Sequence, residues 1–277
     1  LTDTVTEIQT IAMQANHAAN QAMVTIQSYL TNDRARLPSV SEFTTAGILG
    51  VDADNLNATN AAIKASVSSL TNTVPKIQII ATAANTAADD ALAKIQAYAK
   101  NTNGLVPNVA DYAAAGIMEV DEDNLNAVNT GIGASTAEGT NTVAAIQTIA
   151  TAKNSAADHA MKKIQDHVRS DPSAAPSVAD YIALGILGVD EDNLNATNTD
   201  FHTSAAELKG TSAKIQVIAT AANIAADQAL RVIQIYMNDA ESTTPIVATY
   251  ATAGILGVDE DNVNATNLGI RASTSAI

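Results

Sequence analysis

The densest cluster of chemistry-bearing residues is the stretch GILGVDEDNLNATN, Gly185 to Asn198, where three acids and three asparagines flank Leu194. Side-chain oxygens of Asp190, Glu191, Asp192, Asn193 and Asn195 are the donors a hard cation such as calcium takes. An EF-hand loop needs oxygens at its first, third and fifth positions and a glycine at its sixth. Counted from Asp190, the fifth position is Leu194 and the sixth is Asn195, so that signature fails. A helix start accounts for the same residues. Asp190 as N-cap accepts an orphan amide hydrogen, and Glu191 and Asp192 lie at the positive end of the helix dipole. Val189 and Leu194 then take the two positions of a hydrophobic staple.

The stretch recurs. Related segments begin at Gly47, Gly116 and Gly254, each 69 residues from the next. The pattern IQ-x-IA recurs with the same spacing at Ile8, Ile77, Ile146 and Ile215, and a proline at Pro38, Pro107, Pro176 and Pro245. The chain therefore reads as four tandem repeats, 1–69, 70–138, 139–207 and 208–277, and a periodic chain of this kind builds an array. It begins and ends at the same repeat phase, Leu1 matching Leu70 and Ile277, which is the expectation for a fragment cut from a longer array. Asp121, Asp123, Asp190, Asp192, Asp259 and Asp261 remain as weak calcium candidates, and no cofactor is expected.

Composition narrows the partners. With 14 basic against 29 acidic residues and a net charge of −15, the chain has the wrong sign for nucleic acid or anionic membranes. No membrane insertion is expected from this segment. Absence of cysteine removes disulfides, thiol catalysis and cysteine-type zinc sites together.

Each repeat divides into three helical segments. In the second copy Val74, Ile77, Ala81, Ala84, Ala88, Ala91, Ile95 and Tyr98 follow steps of three and four, an apolar stripe on a helix of about 27 residues. Copies one and four keep the stripe, whereas copy three places Lys153 and His167 on it. A short segment follows, as in PSVADYIALG, where Ser177 caps and Gly185 stops a helix of about two turns. Its aromatic position, Phe43, Tyr112, Tyr181 or Tyr250, reads as a core plug. The third segment, opened by the acidic cap, predicts a helix of about 16 residues. Ser-, Thr- and Asn-rich junctions such as SSLTNTVPKIQ, STAEGTNTVAAIQ and AAELKGTSAKIQ predict a break before the next long helix, with a continuous spectrin-like helix as the rival. The expected fold class is all-α: four tandem three-helix-bundle repeats in an elongated array. Helix lengths set an advance of roughly 40–50 Å per repeat, a rod of about 160–200 Å.

Catalytic chemistry is not legible. His17, His159, His167 and His202 occupy four different repeat phases and read as surface residues, and no phosphate-binding loop or nucleophile elbow is present. Asn55, Asn57 and Asn60 and their counterparts recur in every copy, with local roles expected: caps, turn carbonyls and one partly buried amide. Asn57, Asn195 and Asn264 match the glycosylation sequon, but Val128 breaks it in the second copy.

The stretch DYAAAGIMEVDEDNLNAVNTGI, residues 111 to 132, with the preceding ALAKIQAYAK, resembles the helical repeats in the stalks of large secreted bacterial surface adhesins, and the layout is similar to GA-like three-helix modules. The resemblance implies an extracellular, cell-surface location and a structural role extending a terminal adhesive domain; it carries no binding residues onto this chain. The expected partners are neighbouring repeats of the same chain. The alternative is a multivalent array in which each repeat presents one surface to a host protein, glycan or matrix ligand. An enzyme is not expected.

Overall fold

The computed structural model describes residues 4–32, 34–67, 72–169, 175–204, 210–239 and 241–273. They are all-helical, with no strand among the described residues. The helices are α1 (Val5–Thr31), α2 (Val40–Thr45), α3 (Leu56–Ala65), α4 (Val74–Lys100), α5 (Val109–Ala114), α6 (Leu125–Gly133), α7 (Val143–Arg169), α8 (Val178–Ala183), α9 (Leu194–Thr203), α10 (Ser212–Asn238), α11 (Val247–Thr252) and α12 (Val263–Ser273). The helices α1, α4, α7 and α10 each have 27 residues, the length the stripe predicts. The third segment is shorter than expected: α3 and α9 have 10 residues, α6 has 9 and α12 has 11. Its acidic start is a tight turn ahead of the regular helix, and a serine closes the other end: Ser66 Oγ donates to the Ala62 carbonyl at 2.7 Å and Ser204 Oγ to that of Asp200 at 2.6 Å. Such back-bonding competes with helix propagation.

Between α6 and α7 the chain breaks: α6 ends at Gly133, a 3-10 turn spans Glu138–Thr140, and α7 opens at Val143. The helix is not continuous there, as the Ser/Thr-rich junction predicts. Residues 68–71 and 205–209 of the two other junctions, and Leu1, Leu70 and Ile277, lie outside the described residues.

The chain divides into two compact units, Leu1–Val120 with Gly131–Thr151, and Asp121–Thr130 with Ala152–Ile277. In the first, one core joins Ala22 and Ile26 of α1, Phe43 of α2, Ala46, Ile48 and Val51, Ile63 of α3, and Ile77 and Ala81 of α4. The second holds the counterpart: Ala160 and Ile164 of α7, Tyr181 of α8, Leu184, Ile186 and Val189, Phe201 of α9, and Ile215 and Ala219 of α10. Each core thus takes the second half of one long helix and the first half of the next, drawing residues from both sides of the 69-residue sequence boundary. Within α10 the division of labour is complete, since Ile215, Ile218 and Ala219 close one core while Ala229 and Ile233 open another with Tyr250 and Ala253.

This sharing explains the alanine stripe. In α4 the predicted positions Ile77, Ala81, Ala84, Ala88, Ala91 and Ile95 are buried, with Val74 and Tyr98 half-buried. The stripe of α1 differs: only Ala22 and Ile26 are buried, and Val5, Ile8 and Ile11 are exposed. Short glycine turns let the elements approach. Gly185, at φ +75°, sits where a Cβ would meet the Ala127 nitrogen at 2.6 Å, so both conformation and space exclude a side chain.

Candidate functional site

The recurring acidic turn is the most elaborate polar structure in the chain, and it is a capping device. Asp190 Oδ1 accepts from the backbone N–H groups of Asp192 at 3.0 Å and Asn193 at 3.2 Å, and Asn193 Oδ1 accepts in return from the Asp190 N–H at 3.2 Å. This reciprocal pair is a capping box with asparagine in the third position. The same bonds join Asp52 with Asn55, Asp121 with Asn124 and Asp259 with Asn262. Asp190 therefore caps as the sequence suggests, although the regular helix α9 begins only at Leu194 with Asn193 before it. Val189 is buried and Leu194 packs half-buried against the same core, the two ends of the expected staple.

The asparagines reach further than local caps. Asn193 Nδ2 donates to the Gly188 carbonyl at 2.8 Å and to Asn223 Oδ1 of α10 at 2.8 Å, and Asn55 does the same with Gly50 and Asn85 of α4. Asn124 donates to Asn154 of α7 at 2.8 Å. A second amide is buried at the end of each short helix. Asn198 Nδ2 donates to the Pro176 carbonyl at 3.0 Å, and the Tyr181 hydroxyl donates to Asn198 Oδ1 at 2.8 Å. Asn267, Pro245 and Tyr250 repeat this arrangement. In the first copy Asn60 Nδ2 reaches the Pro38 carbonyl at 2.9 Å, but Phe43 stands where the other copies have tyrosine, and Asn60 Oδ1 is buried without a partner.

Of the six calcium candidates, Asp121, Asp190 and Asp259 direct one oxygen at backbone N–H groups of their own turns. Asp123 Oδ1 accepts from the Ser212 N–H, the first residue of α10, at 3.1 Å, and Asp54 stands in the same relation to Val143 of α7 at 3.3 Å. A carboxylate at the positive end of a 27-residue helix stabilises it electrostatically. Asp192 and Asp261 have no hydrogen bond of their carboxylates among the described residues. No three His, Cys, Asp or Glu side chains converge there on a point where a metal could sit.

The glutamine of IQ-x-IA is a polar anchor that sequence reading passed over. Gln78 Oε1 accepts from the Leu49 N–H at 2.7 Å while its Nε2 donates to the Leu49 carbonyl at 2.9 Å. Gln147 with Met118 and Gln216 with Leu187 form the same two-pronged contact. Its signal was a polar residue fixed next to a buried isoleucine in every copy.

The aromatic positions Phe43, Tyr112, Tyr181 and Tyr250 are fully buried, as expected of core plugs. Burial pushes the hydroxyls of Tyr112 and Tyr181 well above the ordinary tyrosine range. Asp111 and Asp180 begin the short helices beside Lys94 and Lys163, each pair at 2.5 Å. Desolvation raises both carboxyls, but the hydrogen bonds from Asn108 and Lys94, and from Lys163 and Ser177, outweigh it and leave each below the usual carboxylate range.

The histidine expectation needs correction. His17 and His159 are exposed, but His167 is buried, its ring 6.1 Å from that of His202. These positions hold Tyr29 and Lys64 in the first copy, where the ammonium lies 5.4 Å over the ring, and Tyr236 and Arg271 in the fourth, at 4.1 Å. Different repeat phases met because one residue lies at the end of a long helix and the other at the end of the third. The pair borders a cleft of about 280 Å³ with Asn195, Asn198 and Leu256. A cleft of about 260 Å³ lies two repeats earlier, bordered by Tyr29, Leu37, Asn57, Asn60 and Met118.

Comparison with protein-family models, curated proteins and solved structures finds no match to this chain.

Proposed function

We propose that the chain is a structural spacer: four three-helix units in tandem, forming an elongated stalk segment of a bacterial cell-surface adhesin and holding a terminal adhesive domain away from the cell. The observation that carries this reading is that the recurring polar residues are spent inward. The capping Asp–Asn pairs, the asparagine pairs and the two-pronged glutamines all join one element to the next within the chain. Repetition of joints at constant spacing is what a spacer needs, because each unit then leans on its neighbour.

A multivalent binding array would instead repeat its exposed chemistry. The recurring cleft does the opposite: its rim holds Tyr29, Leu37 and Ala61 in one copy and His167, Ala175 and Thr199 in the other. Unlike rims on a constant scaffold favour the spacer over avidity for one ligand. Among the described residues no helix is long and apolar enough to cross a membrane.

Small-angle scattering tests the proposal. A compact chain of this length has a radius of gyration near 19 Å, and an extended array lies well above that. A value close to that of the globule overturns the spacer reading.

A further inference from the structure

We infer that the exposed face on the first half of α1 is a docking surface for a second copy of this chain, which seats there its segment from Ile255 to the first turn of α12. The resulting association is head-to-tail. The inference does not rest on the spacer reading; it rests on a contact the chain already makes three times.

In those three instances an isoleucine and an alanine of a long helix are sealed by the loop and third helix of the preceding copy. Ile77, Ile146 and Ile215 are each 0% exposed, whereas Ile8 at the same phase of α1 is 56% exposed. Ile11 beside it is also exposed. The polar groups of the contact are free as well. Gln9 and Asn16 have no side-chain partner among the described residues, although Gln78, Gln147 and Gln216 grip a backbone and Asn85, Asn154 and Asn223 each accept from an asparagine. A Cβ on Gly47 would touch nothing within 4 Å, whereas one on Gly116, Gly185 or Gly254 would strike the preceding third helix.

The opposite surface shows the complementary deficit. Ile255 is 38% exposed, against 1%, 4% and 3% for Ile48, Ile117 and Ile186. The Leu256 N–H and carbonyl, which glutamine holds in the other copies, have no partner among the described residues. Asn262 donates to the Gly257 carbonyl at 2.9 Å, but its other amide hydrogen lacks the acceptor that Asn85, Asn154 and Asn223 supply elsewhere. The two surfaces match group for group. Gln9 takes the Leu256 backbone, Asn16 accepts from Asn262, and Asn264 donates to the Gly47 carbonyl as Asn57 does to Gly116 and Asn195 to Gly254, both at 3.2 Å. The contact is heterologous, so each added copy leaves one free face of each kind and growth does not close at a dimer.

Sedimentation velocity and light scattering of the 277-residue chain from about 1 μM to about 1 mM test this, the upper limit marking a dissociation constant at the weak edge of specific association. Average mass is expected to rise with concentration past the dimer. Ile8→Asp alters a side chain exposed in the single chain, so helix content and melting are retained while self-association weakens at least about hundredfold. Val24→Asp, equally exposed but off this face, leaves association unchanged. Because Ile8→Asp keeps its tail surface, labelled Ile8→Asp is expected to enter wild-type complexes and shorten them. The inference is overturned if the wild-type chain is monomeric at about 1 mM, if Ile8→Asp associates as the wild type does, or if labelled Ile8→Asp is excluded from wild-type complexes, the mark of a symmetric α1–α1 contact.

Discussion

Phe43→Tyr should stabilise the core in which it sits. Asn60 Oδ1 is buried there without a partner, while at the same place Tyr181 and Tyr250 donate to Asn198 and Asn267 at 2.8 and 2.5 Å. A buried acceptor left unsatisfied costs about 1–3 kcal/mol, and a completed hydrogen bond contributes a net of about 0.5–1.5 kcal/mol. The added hydroxyl needs room, and the surroundings are smaller in this copy, with Ala46 and Ile63 where the third copy has Leu184 and Phe201. Overpacking is therefore not expected, and the net gain is about 1 kcal/mol. Several cores in one chain preclude a single unfolding midpoint, so the readout is amide hydrogen exchange of α2 and α3. One kcal/mol slows exchange through local opening about fivefold. Tyr181→Phe should accelerate exchange in α8 and α9 by a similar factor. Unchanged or weaker protection in Phe43→Tyr, together with a neutral Tyr181→Phe, would refute the assignment of the asparagine–tyrosine bond as a structural contribution.

Thr59 and Thr197 bury hydroxyls with no partner where the second copy has Val128, so Thr197→Val is expected to be neutral or to stabilise by up to about 1 kcal/mol, read by local exchange in α9. Gly185→Ala combines left-handed backbone with a 2.6 Å approach to the Ala127 nitrogen and should cost about 2–4 kcal/mol; Gly47→Ala, with the same backbone and open space, should cost only about 1–2. Equal losses in the two variants would contradict the packing of α8 on the start of α6. Acidification should destabilise α5 and α8: the folded carboxyls of Asp111 and Asp180 lie below their unfolded values, so their contribution is full above about pH 4 and is lost as pH falls through the folded values. Asp180→Asn should remove that part of the acid sensitivity, measured as the melting temperature between about pH 5 and pH 2.

The sequence alone determined what short-range physics governs. Asp190 three residues before Asn193, Ser177 three before Asp180, and glycine after each short helix specify caps and stops through bonds made within one turn. The stripe from Ile77 to Ile95 specified a 27-residue helix because its period is a property of the backbone. What lies opposite a stripe is not in the stripe. Ile8 and Ile77 are the same residue in the same motif, yet one is exposed and the other sealed, because burial is conferred by the loop and third helix of a preceding copy. Only the tertiary structure could place Gln78 on Leu49, Asn193 on Asn223 and His167 beside His202, since those partners lie 29, 30 and 35 residues apart and meet through the packing of whole helices.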